Sequence, residues 1–285
     1  MQVYYFGGQR ARATKFRRLK GQRLTLERRT FLTASLSASA LAFSGQAPSG
    51  PAVGREFYEL RKYTLQMGPQ QKLAESYFAD ALIPALNRLG FSTVGAFSLE
   101  IGPSTPTLYL LIPAASAETL VTADLRLGAD PDFQKASAPF WSASATQPPF
   151  LRVESTLLEA FAGRPKLKLP PSGHAKRMFQ LRTYESPTPA AHVRKVEMFN
   201  SGEFEIFEAA GFWPIFYGDA LVGERLPQLT YMLSFPDLSA MTAMWDRFRN
   251  DPAWKKLSSD PRYASEPIVS SISNLILTPL ICSQV

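Results

Sequence analysis

YELRKY, Tyr58–Tyr63, returns as FQLRTY, Phe179–Tyr184, at an offset of 121 residues. Leu60, Arg61 and Tyr63 of the first stretch meet Leu181, Arg182 and Tyr184 of the second. Downstream the same offset sets Gly90-Phe91 against Gly211-Phe212, Ile101-Gly102 against Val222-Gly223, and Asp130-Pro131 against Asp251-Pro252, with Phe133 opposite Trp254. A small compensating shift is read near Tyr109 and Tyr231. Register held over roughly a hundred residues marks a tandem duplication, and a period this long excludes a solenoid, so each copy should be a domain.

Within one copy the pattern reads as strand Tyr58–Leu65, helix Gln70–Leu89, strand Phe91–Ile101, strand Leu108–Pro113, a helical stretch Ala117–Phe140 and strand Phe150–Phe161. Pro84 should kink the first helix, and Gly90 should end it. Asp130-Pro131 and Asp251-Pro252 should restart the second helix after a break, the carboxylate capping free N–H groups and Pro taking the first helical position. Phe133 and Trp254 can then pack against the sheet, or Trp254 can line a ligand cleft. The order β-α-β-β-α-β, found twice, is the split-βαβ, ferredoxin-like order and gives an α+β class. The domains expected are 55–161 and 178–281, joined by an exposed linker at 162–177 that is rich in Pro, Gly and basic residues and holds His174.

The chain's formal charge of +7 would suit a nucleic-acid partner, but the charge is not in the body. Residues 1–47 hold nine Lys/Arg and one acid, whereas the remainder holds 22 bases and 23 acids. A nucleic-acid partner is therefore not expected. Leu26–Ala47, LERRTFLTASLSASALAFSGQA, has paired arginines, a short apolar run and a small-residue exit. It resembles a twin-arginine export signal cut near Ala47 or after Ala42, which implies an extracytoplasmic or periplasmic location and no stable membrane insertion after processing. The single cysteine, Cys282, permits no intrachain disulfide and no Cys-based zinc site.

The E/Q-L-R-x-Y strand, Gly-Phe after the first helix and Asp-Pro-x-aromatic late in the second, repeated in order, resemble the NIPSNAP family over about Phe57–Phe161 and Met178–Leu280. The resemblance implies a dimeric α/β barrel, two ferredoxin-like units pairing their sheets. A tandem copy could close that barrel within one chain, as a monomer with an internal pseudo-dimer, or two chains could close it as a homodimer. Phe133 departs from the family pattern, where Trp is typical. The family carries no settled enzymatic activity.

Strand parity puts Tyr58, Leu60 and Lys62 on one face and Glu59, Arg61 and Tyr63 on the other; the more apolar set is expected on the helices and the second set inside the barrel. Arg61 can pair with Glu59, but Gln180 stands in the second copy, leaving Arg182 without that charge. Arg182 and Tyr184 are thus pocket candidates for an anionic or carbonyl-bearing ligand, with Arg61 and Tyr63 as their counterparts; a structural Arg network is the competing reading. In GFWPIFYGD, Gly211–Asp219, alternation groups Trp213, Ile215 and Tyr217 on one face, an apolar wall with a tyrosine handle if it lines the barrel. His192 reads as a solvated helix-end histidine with no partner at metal-ligand spacing, so no metal and no cofactor are expected. No phosphate loop or nucleophile elbow occurs in the sequence. The functional expectation is a small organic ligand held between the sheets. The alternatives are a cofactor-independent oxygenase- or isomerase-like enzyme and a cell-envelope interaction module.

Overall fold

The computed structural model describes residues 54–170 and 177–285; the leader at residues 1–47 and His174 lie outside the described residues. The first copy runs β1 Phe57–Thr64, α1 Pro69–Ser76, a π turn Tyr77–Leu82, α2 Ile83–Arg88, β2 Gly95–Ile101, β3 Thr107–Ala114, α3 Ala117–Val121, α4 Ala123–Gly128, α5 Pro131–Trp141 and β4 Arg152–Ala160. The second runs β5 Met178–Glu185, α6 Pro189–Met198, a π turn Phe199–Glu203, α7 Phe204–Ala209, β6 Trp213–Val222, β7 Gln228–Phe235, α8 Leu238–Asn250, α9 Pro252–Ser258 and β8 Ser271–Pro279.

The disturbance expected at Pro84 takes the form of the π turn just before it. Proline has no N–H to give and its ring crowds the carbonyl four residues back, and a widened turn relieves both. The second copy widens at the same place without a proline, through Gly202 at φ 127°, a conformation that side chains resist. Both helix-ending glycines behave as expected, with φ of 96° at Gly90 and 99° at Gly211. Asp130 Oδ1 accepts from the N–H groups of Asp132 and Phe133, and Asp251 Oδ1 from that of Ala253, so the repeated Asp-Pro is a helix restart.

Eight antiparallel strands close a barrel within one chain, in the order β1-β3-β2-β8-β5-β7-β6-β4, with β4 returning to β1. Each copy contributes a four-stranded sheet, and two seams, β2–β8 and β4–β6, join them. A sheet with free edges is a template for unwanted pairing; joining the edges of the two copies removes them. Consequently the copies do not stand apart: the described residues of both copies form one compact unit.

Three large apolar clusters fill this unit, with a small fourth around Met198 and Tyr263. One takes residues from all eight strands and from no helix, among them Leu60, Phe97, Leu111, Leu158, Leu181, Ile215, Met232 and Leu277, and is the barrel interior. The other two lie between the outer face of each sheet and its helices. This reverses the expected faces. Tyr58 and Leu60 point into the barrel, whereas Tyr63 and Tyr184 belong to the helix layers. Closing the barrel buries one face of each strand in the interior, and the helices cover much of the other, leaving parts of β4, β6 and β8 exposed. The narrow interior of an eight-stranded barrel is filled by side chains, so it takes the more apolar set, with Lys62 at its mouth paired to Glu154; the helix layer lets an arginine reach acids and solvent at its rim.

Two further expectations are corrected and a third is refined. The shift near Tyr109 and Tyr231 is absent: Arg61 faces Leu110 and Arg182 faces Tyr231, so the offset of 121 holds. In β6 a bulge between Pro214 and Phe216 breaks the alternation; Ile215 and Phe216 both point inward, and Tyr217 joins the helix layer. Residues 162–170 are largely exposed, as expected of the linker, but they are fastened down along their length. The N–H of Leu167 donates to Glu56 Oε2 at 2.7 Å and that of Lys168 to the carbonyl of Ile215 at 2.9 Å, strapping the segment to the barrel. Among the described residues no helix is long and apolar enough to cross a membrane.

Candidate functional site

The motif arginines sit at the same position of their strands and meet different surroundings. In the first copy Arg61 is fully answered. Its Nε donates to Glu59 Oε1 at 2.6 Å, its Nη1 lies 2.9 Å from Asp124 Oδ1 on α4, and Ser155 of β4 donates to the same Glu59 at 2.7 Å. Burial opposes the charge on Arg61, but the hydrogen bond and charge of Glu59 more than offset it. Two carboxylates therefore face one guanidinium, and the first layer is electrostatically closed.

In the second copy the acids are gone. Gln180 replaces Glu59; its Nε2 donates to Asn274 Oδ1 and its Oε1 accepts from Trp245 Nε1, both at 2.8 Å. Trp245 stands on α8 where Asp124 stands on α4. The guanidinium of Arg182 lies over its ring, 4.6 Å from the centroid. Arg182 Nη2 donates to Tyr184 Oη at 3.0 Å, and Tyr184 Oη is 2.9 Å from Tyr231 Oη. The buried Nε of Arg182 has no acceptor, and among the described residues no carboxylate lies within 4.0 Å of the guanidinium.

Behind this chain of hydroxyls lies a buried ion pair. Lys195 of α6 donates to Glu203 Oε2 at 2.8 Å, and both residues are nearly sealed from solvent. The widened turn at Phe199–Glu203 places the acid there. Burial raises the Glu203 carboxyl above the usual carboxylate range, with Lys195 and Arg182 offsetting part of the rise. Burial likewise pushes the hydroxyls of Tyr231 and Tyr217 well up, and that of Tyr217 has no hydrogen-bond partner.

Arg182, Tyr184, Lys195 and Glu203 line the floor of a cavity of about 850 Å3, walled by Trp245, Phe248 and Trp254. This is within the size range of small-molecule sites. It lies between the second sheet's outer face and its helices, not between the two sheets, where the interior is packed by Leu60, Phe97, Leu181 and their neighbours. A second, smaller hollow of about 470 Å3 opens at one mouth of the barrel, lined by Lys62, Glu154, Thr183 and Thr230.

Of the residues singled out in the sequence, Arg182 and Tyr184 come together in the cavity, and Tyr217 adjoins them through its ring stack on Tyr231, centroids 5.5 Å apart. Arg61 and Tyr63 lie in the other layer. Trp213 packs at the barrel interior under Lys168, whose Nζ is 4.2 Å from its ring centroid. His192 is not solvated: it is 7% exposed, with Nε2 2.7 Å from Asp219 Oδ1 and a buried Nδ1 that has no partner. Lys195, Glu203, Tyr231 and Trp245 were not legible as site residues from their own surroundings. The offset of 121 holds the signal, since it sets them against Ala74, Leu82, Leu110 and Asp124. Among the described residues no group of three or more His, Cys, Asp or Glu is placed to hold a metal ion.

The sequence matches the NIPSNAP family model at residues 58–150 and 179–284, one match in each copy. Among solved structures, a monooxygenase-like protein from Lactobacillus acidophilus aligns over 79% of this chain and 94% of its own, with a TM-score of 0.53 and 11% identity. Another from Fusobacterium nucleatum aligns over 80% and 94%, at 0.52 and 9%. At these identities the likeness shows the barrel fold alone. A NIPSNAP family protein of unknown function from Agrobacterium tumefaciens covers 38% of this chain and 91% of its own, with a TM-score of 0.33 and 18% identity. No curated protein matches the sequence significantly.

Proposed function

The chain belongs to the NIPSNAP family, and on that premise we propose that it is an exported protein that binds a small organic anion in the cavity of its second copy. One observation carries the reading. Arg182 and Lys195 bring two positive charges to the cavity floor and Glu203 one negative, so one positive charge faces the cavity without a counter-ion from the protein. A partly desolvated charge of this kind is costly unless something answers it, and a ligand carboxylate or similar group is the natural answer. The burial of the floor and the open aromatic wall favour a small molecule over a flat protein partner. The barrel closes within one chain, so the working unit proposed is the monomer.

Native mass spectrometry of the full chain, purified after export, tests this. The expected spectrum has a single-chain mass without residues 1–47 and a stoichiometric extra mass that Arg182→Gln abolishes. A clean mass with no addition, and no uptake of organic anions by the wild type, would move the reading to a cell-envelope interaction module. A second reading, a cofactor-independent oxygenase- or isomerase-like enzyme, is favoured by the buried acid in the cavity. Glu203 has a raised pKa and sits beside Lys195 and the Tyr184–Tyr231 hydroxyl pair, an arrangement able to exchange a proton with a bound carbon acid. Turnover that follows a single raised carboxyl pKa and is lost in Glu203→Gln would support it.

A further inference from the structure

We infer that the ligand of this cavity is a planar aromatic carboxylate; the inference rests on the anion-binding reading above and adds the shape and chemistry of the anion. Trp245 is anchored through its indole nitrogen: its Nε1 donates to Gln180 Oε1, and Gln180 is held in turn by Asn274 on β8. The other side of the same ring carries the Arg182 guanidinium at 4.6 Å. Phe248 follows with its centroid 5.4 Å from that of Trp245, and Trp254 lies 4.5 Å beyond Phe248. The cavity is therefore lined by a contiguous run of three aromatic side chains, packed edge-on and tilted against one another, that begins at the Arg182 guanidinium.

Such a wall rewards a flat ligand. Offset and edge-on ring contacts add to the burial of area, and a rigid ring system loses little conformational freedom on binding, whereas an alkyl chain must freeze several rotors against the same surface. The anionic group follows from the floor. A guanidinium is a planar fork whose spacing matches a carboxylate, and a carboxylate's single charge balances the single unanswered positive charge; a phosphate dianion would overshoot it. In the first copy both halves of this recognition are missing together. Asp124 occupies the place of Trp245 and already answers Arg61, and Phe133 replaces Trp254 and is sealed in the core.

Isothermal titration of the full chain with three probes separates the claims: 2-naphthoate, decanoate, and 2-naphthalenemethanol, which keeps the rings and lacks the charge. The expected result is 2-naphthoate binding at least about tenfold tighter than either of the others. Trp254→Leu should narrow the gap between naphthoate and decanoate, and Arg182→Gln the gap between naphthoate and the alcohol; thermal melts of each variant report whether it is folded. Decanoate binding as tightly as naphthoate would overturn the aromatic claim and leave the anion site standing. The alcohol binding as tightly as naphthoate would overturn the anion reading as well. Failure of all three to bind below about 1 mM, or naphthoate binding indifferent to both substitutions, would overturn both.

Discussion

Ala74 and Leu82 of the first copy stand where the second has Lys195 and Glu203; Ala96 and Leu110 stand where it has Tyr217 and Tyr231; Asp124 stands where it has Trp245. The backbone around these pairs follows the same course, with a widened helical turn and a positive-φ glycine after the helix in both copies, although only the second turn is broken, at Ser201 and Gly202. One layer is therefore an ordinary apolar core with its arginine neutralised by two acids, and the other is a polar core with its arginine left over. A duplicated fold can keep one copy as scaffold and let the other carry charge that a lone copy could hardly tolerate. The cost of the charged layer is local, so substitutions within it should separate the two copies most clearly.

The largest effect is expected at the buried ion pair. Lys195→Ala should strand the Glu203 carboxyl in the core and destabilise the protein by about 3–5 kcal/mol. Adding Glu203→Leu to Lys195→Ala, which installs the first copy's residues, should recover most or all of that loss, and denaturant titration of the single and double variants measures both. If the double variant is as unstable as the single one, the two layers are not interchangeable in the way the offset suggests. Next comes Tyr231→Leu, which restores the residue of the first copy but leaves Tyr184 and Arg182 short of a partner; about 1–3 kcal/mol should be lost. A change below that range would mean water satisfies the hydroxyl.

Smaller again is the helix cap. Thr188 caps α6 by accepting from the Ala191 N–H, whereas α1 begins at Gly68 with no side-chain cap. Thr188→Ala should cost about 1 kcal/mol and make the two helices alike at their start. The last prediction is a pH dependence. Glu203 holds its proton to higher pH in the folded state than in the unfolded chain, so the folded state binds more protons across that window. Stability contributed by this group should then fall as pH rises from the ordinary carboxylate range through the raised value, and Glu203→Gln should remove the slope. An anionic probe should bind more weakly over the same rise, because ionising Glu203 lowers the positive charge on the cavity floor.

The repeat, the strand order and the Asp-Pro restarts were legible because each is a local pattern: a fixed offset, a period of two or near four, a cap chemistry. Arg182 and Tyr184 were legible because the motif recurs with Gln180 in place of Glu59. Which way they face was not. A period of two separates the faces of a strand without saying which is inside, and in a closed barrel under helices both faces of β1 and β5 are largely covered. The bulge at Pro214–Phe216 was invisible for a related reason, since it costs one residue and flips every side chain after it. Lys195 and Glu203 are eight residues apart on a helical stretch, which by itself describes a solvated face. Only their alignment with an alanine and a leucine marks them as buried.

The two seams also set an order of events on the ribosome. Translation completes β2 and β4 by Ala160, but their partners β8 and β6 end at Pro279 and Val222. At about 5–20 residues per second the emerging first copy holds its sheet for roughly ten seconds with two unpaired edges. Those edges pair as readily with a neighbouring nascent chain as with the partners still to come. Crowded polysomes, rather than the finished molecule, are where this protein is most exposed to aggregation, and chains released before β8 is made should be recovered as insoluble material or as swapped pairs of first copies.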